Sequence, residues 1–123
     1  MIQMGTKLAI ADNSGAKIGM CIKPIKASSV YHAGIGDVFV MSVVKALPEG
    51  KVKKGDVRKA VVIRVKRRIK RSDGSTVMFD ENAAVIIGEN GDPIGTRVSG
   101  AVPGEELSSS GFKKITTIAK EII

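Results

Sequence analysis

Fourteen glycines divide the apolar residues of this 123-residue chain into short segments. Turn sequences such as DNSG, AGIGD and ENGDPIG separate these segments, and within segments such as TKLAIAD apolar and polar residues alternate. Glycine favours tight turns over helix interiors, and such alternation is typical of half-buried strands. Strands at this close spacing predict a mainly β chain that closes into a small barrel or forms a sandwich.

The size and composition of the chain limit its organisation. With 43% hydrophobic residues, it can bury one modest core, and we expect a single domain over residues 1–123. No apolar run approaches the roughly 20 residues that a membrane helix needs, so we expect no membrane contact. The N-terminal stretch lacks the apolar region of a signal peptide. We therefore expect the chain either to work where it is made or to have lost a presequence.

The residues that usually carry catalysis or bind metals are few. Cys21 is the only cysteine and His32 the only histidine, so we expect neither a disulfide framework nor a metal site. The adjacent carboxylates of Asp80 and Glu81 would face opposite ways in a strand, which suits a shared metal poorly. The sequence predicts no enzyme and no cofactor.

Positive charge is concentrated in one part of the chain. Residues 45–71 carry twelve Lys and Arg against two acids, a net charge of +10, whereas the remaining residues sum to −2. A local basic surface of this density is the electrostatic signature of a polyanion site. Because the segment has no aromatic residue, contact with phosphates is favoured over base stacking. The expected phosphate-binding residues are Lys51, Lys53, Lys54, Arg58, Arg64, Lys66, Arg67, Arg68, Lys70 and Arg71.

The run RVKRRIKR, residues 64–71, lies between two apolar segments. Alternation across a strand predicts that one set of side chains fills a barrel, namely Val61, Ile63, Val65 and Ile69. It places the other set outside, namely Arg64, Lys66, Arg68 and Lys70. Near Arg67 the strand should leave the barrel as a projecting basic hairpin. This hairpin turns at Asp73-Gly74 and returns through the strand TVMFD.

The C-terminal part changes its period. In GFKKITTIAKEII, apolar residues recur at three- and four-residue steps, which predicts an amphipathic helix packed on the barrel. The preceding PGEELSSSG suggests a short additional helical turn. Residues 104–123 are thus expected to form a C-terminal helical segment, and the apolar positions that carry the pattern are Phe112, Ile115, Ile118, Ala119 and Ile122.

Residues Ala60–Ile86 resemble the signature of the universal large-subunit ribosomal protein fourteen family, bacterial and organellar type. An Ala and three aliphatic residues precede nine others, and then come Asp73-Gly74, Phe79, Asn82 and Val85-Ile86. The blocks ADNSGA, MCIK, GKVKKGDV and PIGTR match the family in the same order. The resemblance covers nearly the whole chain.

The resemblance implies a five-stranded barrel with a C-terminal helical segment and a structural role in the large ribosomal subunit. It also implies binding to large-subunit rRNA, contacts with neighbouring large-subunit proteins three and nineteen, and bridges to small-subunit rRNA. A ribosome silencing factor docks on members of the family. The implied location is the ribosome, in a bacterial cytoplasm or an organelle matrix such as that of the mitochondrion. The expected bridge residues are Lys45, Glu49, Arg97, Lys113 and Lys114.

Two stretches depart from the bacterial pattern. Val30–His32 stand where bacterial members have an Arg-Arg-Tyr stretch, and Gly104–Ser108 stand where they have Arg-Glu-Leu-Arg. Both changes remove cations, which puts the matching rRNA and bridge contacts in question and suggests a diverged, mitochondrial member. Two other functions stay open on the residues alone. One is a free single-strand RNA-binding barrel, which would need surface aromatics. The other is an adaptor whose basic strand binds an acidic protein.

Overall fold

The computed structural model describes residues 2–26 and 33–123. The chain is mainly β, with nine strands and two short helices in the described part. In chain order these are β1 Lys7–Ile10, β2 Ala16–Lys26, β3 Val38–Ala46, β4 Val57–Arg64, β5 Ile69–Lys70, β6 Thr76–Val77, β7 Ala83–Ile87, β8 Val98–Val102, α1 Gly104–Ser109, α2 Lys113–Ile118 and β9 Ala119–Ile122.

Five strands close a barrel in the order β1-β2-β3-β4-β7. Strands β1 and β7 pair in parallel, and the other neighbours are antiparallel. Of the two architectures left open by the strand pattern, the barrel is therefore confirmed, and so is the strand number that the family resemblance implied. Closure removes the free edges that an open sheet would present.

The barrel is filled by aliphatic side chains and a single phenylalanine. Phe39 and Met41 of β3, Val62 of β4 and Ile86 of β7 are fully buried in this interior cluster, together with Leu8. Cys21, a free thiol, is also buried there. The interior is packed by side chains, as expected for a barrel of this size.

A second apolar cluster lies outside the barrel, beneath the C-terminal segment. Val61 and Ile63 of β4 pack there with Val85 of β7, and Leu107 of α1 and Ile115 of α2 cover them. The prediction that Val61 and Ile63 fill the barrel is therefore wrong, because Val62 takes the inward position. Strand β4 is buried on both faces, so apolar residues at consecutive positions do not show which face points inward.

The projecting hairpin is confirmed. Strands β5 and β6 form a separate two-stranded sheet, in which Ile69 pairs with Val77 and Lys70 with Thr76. Gly74 has φ of +91°, which a glycine tolerates without strain. The returning strand is shorter than the predicted TVMFD, since it ends at Val77.

The C-terminal segment contains two short helices and then a strand. The extra helical turn before Phe112 is confirmed as α1, but the predicted continuation of the second helix to Ile122 is wrong. Helix α2 ends at Ile118, and β9 pairs in parallel with β8. Ile115 is fully buried, whereas Ile122 is 57% exposed. Tertiary pairing with β8 overrides the helical period at this point.

Three residues singled out in the sequence, Val30, Tyr31 and His32, lie outside the described residues. Within residues 2–26 and 33–123, no group of three or more His, Cys, Asp or Glu side chains is placed to hold a metal ion. None of the helices described there is long and apolar enough to cross a bilayer.

Candidate nucleic-acid interface

Strand β4 separates the basic segment into two groups at opposite ends of the barrel. The loop that joins β3 to β4 precedes the strand, and the hairpin follows it. Eight residues of strand span roughly 25 Å. We call the first group the loop end (residues 47–56 and 88–97) and the second the hairpin end (residues 65–82). Residues 60–65 between them are all buried, so of the expected outer set Lys66, Arg68 and Lys70 are exposed and Arg64 is not.

The loop end presents its lysines on a constrained backbone. Val52 is fully buried and anchors the loop, while the neighbouring lysines 51, 53 and 54 are exposed. The Asp56 carboxylate accepts a hydrogen bond from the Lys53 backbone N–H at 2.9 Å. The loop also lies against the turn before β2, where a Cβ added to Gly15 would come within 2.4 Å of the Gly50 Cα. The lysine-bearing loop is thereby fixed to the barrel.

A second loop completes the same end. Lys51 Nζ donates to the carbonyl of Ile94 at 3.3 Å, which joins the β3–β4 loop to residues 88–97. The Asn13 side-chain oxygen accepts from the backbone N–H groups of Thr96 and Arg97 at 2.8 and 3.2 Å. These contacts bring three loops together at one end of the barrel.

The hairpin end carries four exposed cations outside any ion pair of the described residues. The backbone N–H of Lys66 donates to the Asn82 side-chain oxygen at 3.0 Å, which fixes the point where the chain leaves the barrel. The exposed side chains that form no ion pair within the described parts of the chain are Lys66, Arg67, Arg68 and Lys70. An unpaired, exposed guanidinium or ammonium is available to a phosphate.

Arg64 does not belong to this exposed set. Its residue is only 7% exposed, and its Nη1 donates to the carbonyls of Ser99 and Ala101 in β8, at 3.1 and 3.0 Å. Glu81 lies 3.7 Å from its Nη2. A Cβ at Gly100 would come within 2.2 Å of Nη1, so the glycine makes room for the guanidinium. Arg64 lies outside the barrel, as expected, but it is buried beneath β8 instead of being exposed to solvent.

A break in the alternation of β4 places Arg64 on this outer face, because Val62 points into the barrel and strict alternation would turn Arg64 inward as well. The pairing of β4 with β7 shifts register between Val62 and Arg64, and such a bulge re-aims the following side chain. The side chain then lies under β8. Burial lowers the pKa of Arg64, and the nearby Glu81 carboxylate opposes that shift.

Arg71 is also bound within the protein. Its guanidinium lies 3.3 Å from a Glu105 oxygen and 3.0 Å from a Glu106 oxygen, and Nη2 donates to the carbonyl of Ile123 at 2.8 Å. The hydrogen bond to Glu106 raises the pKa of Arg71 and, reciprocally, lowers the pKa of Glu106. The side chain is 13% exposed. In this conformation its guanidinium is occupied by the protein's own carboxylates.

Two basic residues of β4 are partly exposed. Arg58 lies 3.9 Å from Asp56, and Lys59 lies 3.3 Å from Glu89. Both pairs are at the surface, where such contacts contribute little to stability and can be exchanged for other anions. Arg58 thus stays a candidate at the loop end, although it is less open than the three loop lysines.

The five expected bridge residues are all exposed: Lys45, Glu49, Arg97, Lys113 and Lys114. The structure places Lys45, Glu49 and Arg97 at or beside the loop end. Lys114 joins them through Asp92, because its Nζ lies 2.8 Å from that carboxylate. This grouping was not visible in the sequence, where the residues are up to 69 positions apart.

Sequence reasoning from residue types missed Asp12 as an organiser of this end. Its carboxylate accepts from the Ser14 N–H and hydroxyl, and from the Ile86 N–H at 3.1 Å. Burial raises the pKa of Asp12, and these hydrogen bonds oppose the shift. The block ADNSGA carries a signal for this role, because an Asp two residues before a Ser in a turn is placed to accept hydrogen bonds from it.

The aromatic residues of the described chain offer no stacking platform. Phe39 is fully buried, Phe79 is 8% exposed, and Phe112 is half-buried beside α2. Base stacking in single-strand binding needs exposed rings. The arrangement is therefore suited to neutralising phosphates at two separated points.

A protein-family model described as ribosomal protein L14p/L23e matches residues 1–123, which is the whole chain. The chain belongs to the ribosomal protein L14p/L23e family. It is accordingly a structural ribosomal protein of the large subunit, and the family is typically non-enzymatic.

Proposed function

We propose that this L14p/L23e protein binds large-subunit rRNA through phosphates at two ends of a rigid barrel. The observation that carries the proposal is the separation of exposed cations into two groups roughly 25 Å apart, with the buried residues 60–65 between them. The phosphate-binding residues are Lys51, Lys53, Lys54 and Arg58 at the loop end, and Lys66, Arg67, Arg68 and Lys70 at the hairpin end. Arg64 and Arg71 are left out because the protein itself binds them.

The two ends suit different kinds of contact. The loop end is held by backbone hydrogen bonds and by a close Gly15–Gly50 approach, so its lysines meet RNA on a preformed surface. The hairpin projects from the barrel and can enter a groove or a junction. Each neutralised phosphate releases counterions, so two separated groups add their contributions to affinity.

Contact with small-subunit rRNA is the second part of the proposal. Lys113 and Lys114 are exposed on the first turn of α2, while Ile115 is buried and holds the helix on the barrel. With Lys45 and Arg97 they form a second basic surface beside the loop end, and Glu49 modulates its charge. Neighbouring proteins three and nineteen, and a ribosome silencing factor, are the proposed protein partners, in a bacterial cytoplasm or an organelle matrix.

The alternatives from the sequence are less well supported. A free single-strand RNA-binding barrel would need exposed rings, and none of the three phenylalanines is fully exposed. An adaptor that binds an acidic protein would need only the positive charge of this surface. Binding to structured rRNA in the presence of excess polyglutamate separates an rRNA-binding protein from such an adaptor. Polyglutamate would displace the RNA from an adaptor that recognises negative charge alone.

Incorporation into ribosomes tests the proposal. Tagged protein should sediment with the large subunit, and the variants Lys53→Gln/Lys54→Gln and Arg67→Gln/Arg68→Gln should each incorporate less well. The matched control is Lys23→Gln/Lys120→Gln, which removes two exposed cations of β2 and β9 outside both ends. Equal incorporation of all three variants would contradict a role for the two ends.

A further inference from the structure

The basic hairpin is attached to the C-terminal segment by a cluster of charges. Arg71, at the start of the hairpin turn, contacts Glu105 at 3.3 Å and both carboxylate oxygens of Glu106 at 3.0 and 3.2 Å. It also donates to the Ile123 carbonyl at 2.8 Å, just after β9. One guanidinium therefore joins the hairpin to α1 and to the chain that follows β9.

Helix α1 is itself fixed to the barrel. Leu107 is fully buried in the outer apolar cluster. At the end of the helix, Ser110 lies against the turn before β3, where a Cβ on Gly36 would come within 2.2 Å of the Ser110 hydroxyl oxygen. Because α1 is anchored at both points, its two carboxylates are held in place relative to the barrel.

The hairpin has less support of its own. Its ladder consists of two residue pairs, and a two-stranded sheet is marginally stable in isolation. Val77 and Phe79 are buried at its base, at 7% and 8% exposure, whereas residues 72–76 at the tip are exposed. Contacts beyond the base are therefore needed to give the hairpin one direction.

We propose that Arg71, Glu105 and Glu106 form an ionic latch that sets the direction of the hairpin and so positions its free cations for phosphate contact. The inference rests on the proposed rRNA-binding function and adds a positioning role for residues that do not touch RNA. It also accounts for the acidic pair in α1: the carboxylates are the counter-charges of Arg71.

The surroundings of the latch agree with this role. A cavity of about 290 Å³ lies between the base of the hairpin and α1, with Arg67, Arg68 and Glu106 on its walls. Hairpin and helix thus face each other across a gap, and the ion pairs of Arg71 with Glu105 and Glu106 join them beside it. A contact of this kind holds a direction and can be released without unfolding the barrel.

The sign of the effect on RNA binding separates the latch from simple electrostatics. Glu105 and Glu106 place two negative charges beside a polyanion site, so removing them should strengthen RNA binding if they act only by charge. If they hold the hairpin in place, removing them should weaken binding, because a mobile hairpin must be ordered when RNA binds.

The first experiment needs no RNA. Trypsin cleaves after Lys and Arg, and residues 66–71 offer a dense set of such sites. In Glu105→Gln/Glu106→Gln, cleavage within the hairpin should be roughly three- to tenfold faster, since it follows the population of the open form. The control Glu49→Gln/Glu121→Gln makes the same change in net charge. Wild-type protection in the latch variant, with an unchanged melting temperature, would overturn the latch.

The second experiment measures affinity for a large-subunit rRNA fragment. Arg71→Glu should weaken binding, and the swap Arg71→Glu/Glu106→Arg should restore protection from trypsin and most of the affinity. Restored protection without restored affinity would overturn the positioning role and make Arg71 a direct RNA contact. If the wild-type protein does not bind the fragment while the trypsin result holds, the proposed function fails and the latch stands as a structural contact only.

Discussion

Replacing Arg64 with alanine removes the side chain that joins β4 to β8. In the structure its guanidinium donates to the carbonyls of Ser99 and Ala101 and lies 3.7 Å from Glu81. If Arg64 were a surface residue that contacts phosphate, the substitution would leave stability unchanged and weaken RNA binding. Because it is buried, we expect the substitution to lower stability and to have little direct effect on RNA binding.

The size of the effect follows from the two hydrogen bonds. A hydrogen bond to a charged group contributes about 1.5–3 kcal/mol. Ser99 is exposed and Ala101 half-buried, so water can reach the freed carbonyls, and the buried Nε of Arg64 has no partner within the described residues. We therefore expect a loss of about 2–4 kcal/mol in the free energy of unfolding. For a domain of this size that corresponds to a melting temperature lower by roughly 6–20 °C.

The assay is a pair of thermal or urea melts with Lys66→Ala as the control. Lys66 follows Arg64 by two residues, is exposed, and should leave the melting temperature within about 2 °C of the wild type. Arg64→Lys should recover only part of the loss, because a single ammonium lacks the planar fork of the guanidinium. An unchanged melting temperature for Arg64→Ala, together with a large loss of RNA affinity, would refute the buried assignment.

Three further substitutions or conditions test other parts of the account. Gly36→Ala should destabilise the protein by about 2–4 kcal/mol, since Gly36 has φ of +86° and a Cβ would meet the end of α1. The control Gly91→Ala, at a glycine with φ of +85° and open space around it, should lower the free energy of unfolding by only about 1–2 kcal/mol. Equal melting temperatures for the two alanine variants would contradict the contact between Gly36 and the end of α1. The pKa of Glu106 is lowered by its arginine partner, so the ion pair is present at neutral pH and is lost as the pH falls below the ordinary value of 4.5. Hydrogen exchange in the hairpin, corrected for its intrinsic pH dependence, should rise over that range in the wild type but not in Glu106→Gln. Lys113→Glu with Lys114→Glu should permit incorporation into the large subunit but lower the fraction of joined ribosomes at low magnesium; unchanged joining would remove the bridge role from both residues.

Much of the fold could be predicted from local patterns. Alternating apolar residues and glycine-rich turns gave the β class, and Asp73-Gly74 located the hairpin turn. The family resemblance supplied the strand number. These features depend on residues that are neighbours in the sequence, so local patterns predict them directly.

The orientation of β4 could not be predicted in the same way. Strict alternation assumes one buried face, but Val61 and Val62 are both fully buried, on opposite faces. The second face is buried by residues 98–118, which lie far away in the sequence. The same distant segment covers Arg64 and pairs with Arg71, which the sequence alone had placed among the exposed cations.

The helix end was missed for a related reason. The apolar period from Phe112 to Ile122 fits a helix, but the chain after Ile118 pairs with β8 instead. Pairing with a strand about 20 residues earlier is a tertiary event that a local period does not report.

The salt dependence of binding to a large-subunit rRNA fragment tests the central claim most directly. With eight phosphates neutralised, the slope of log affinity against log salt should be about −6 to −7. One triple variant replaces Lys51, Lys53 and Lys54 with glutamine, and the other replaces Lys66, Arg67 and Arg68. Each should flatten the slope by about 2–3 units. A nearly flat slope for the wild type, or a slope that only one of the two triple variants changes, would contradict binding through both ends of the barrel.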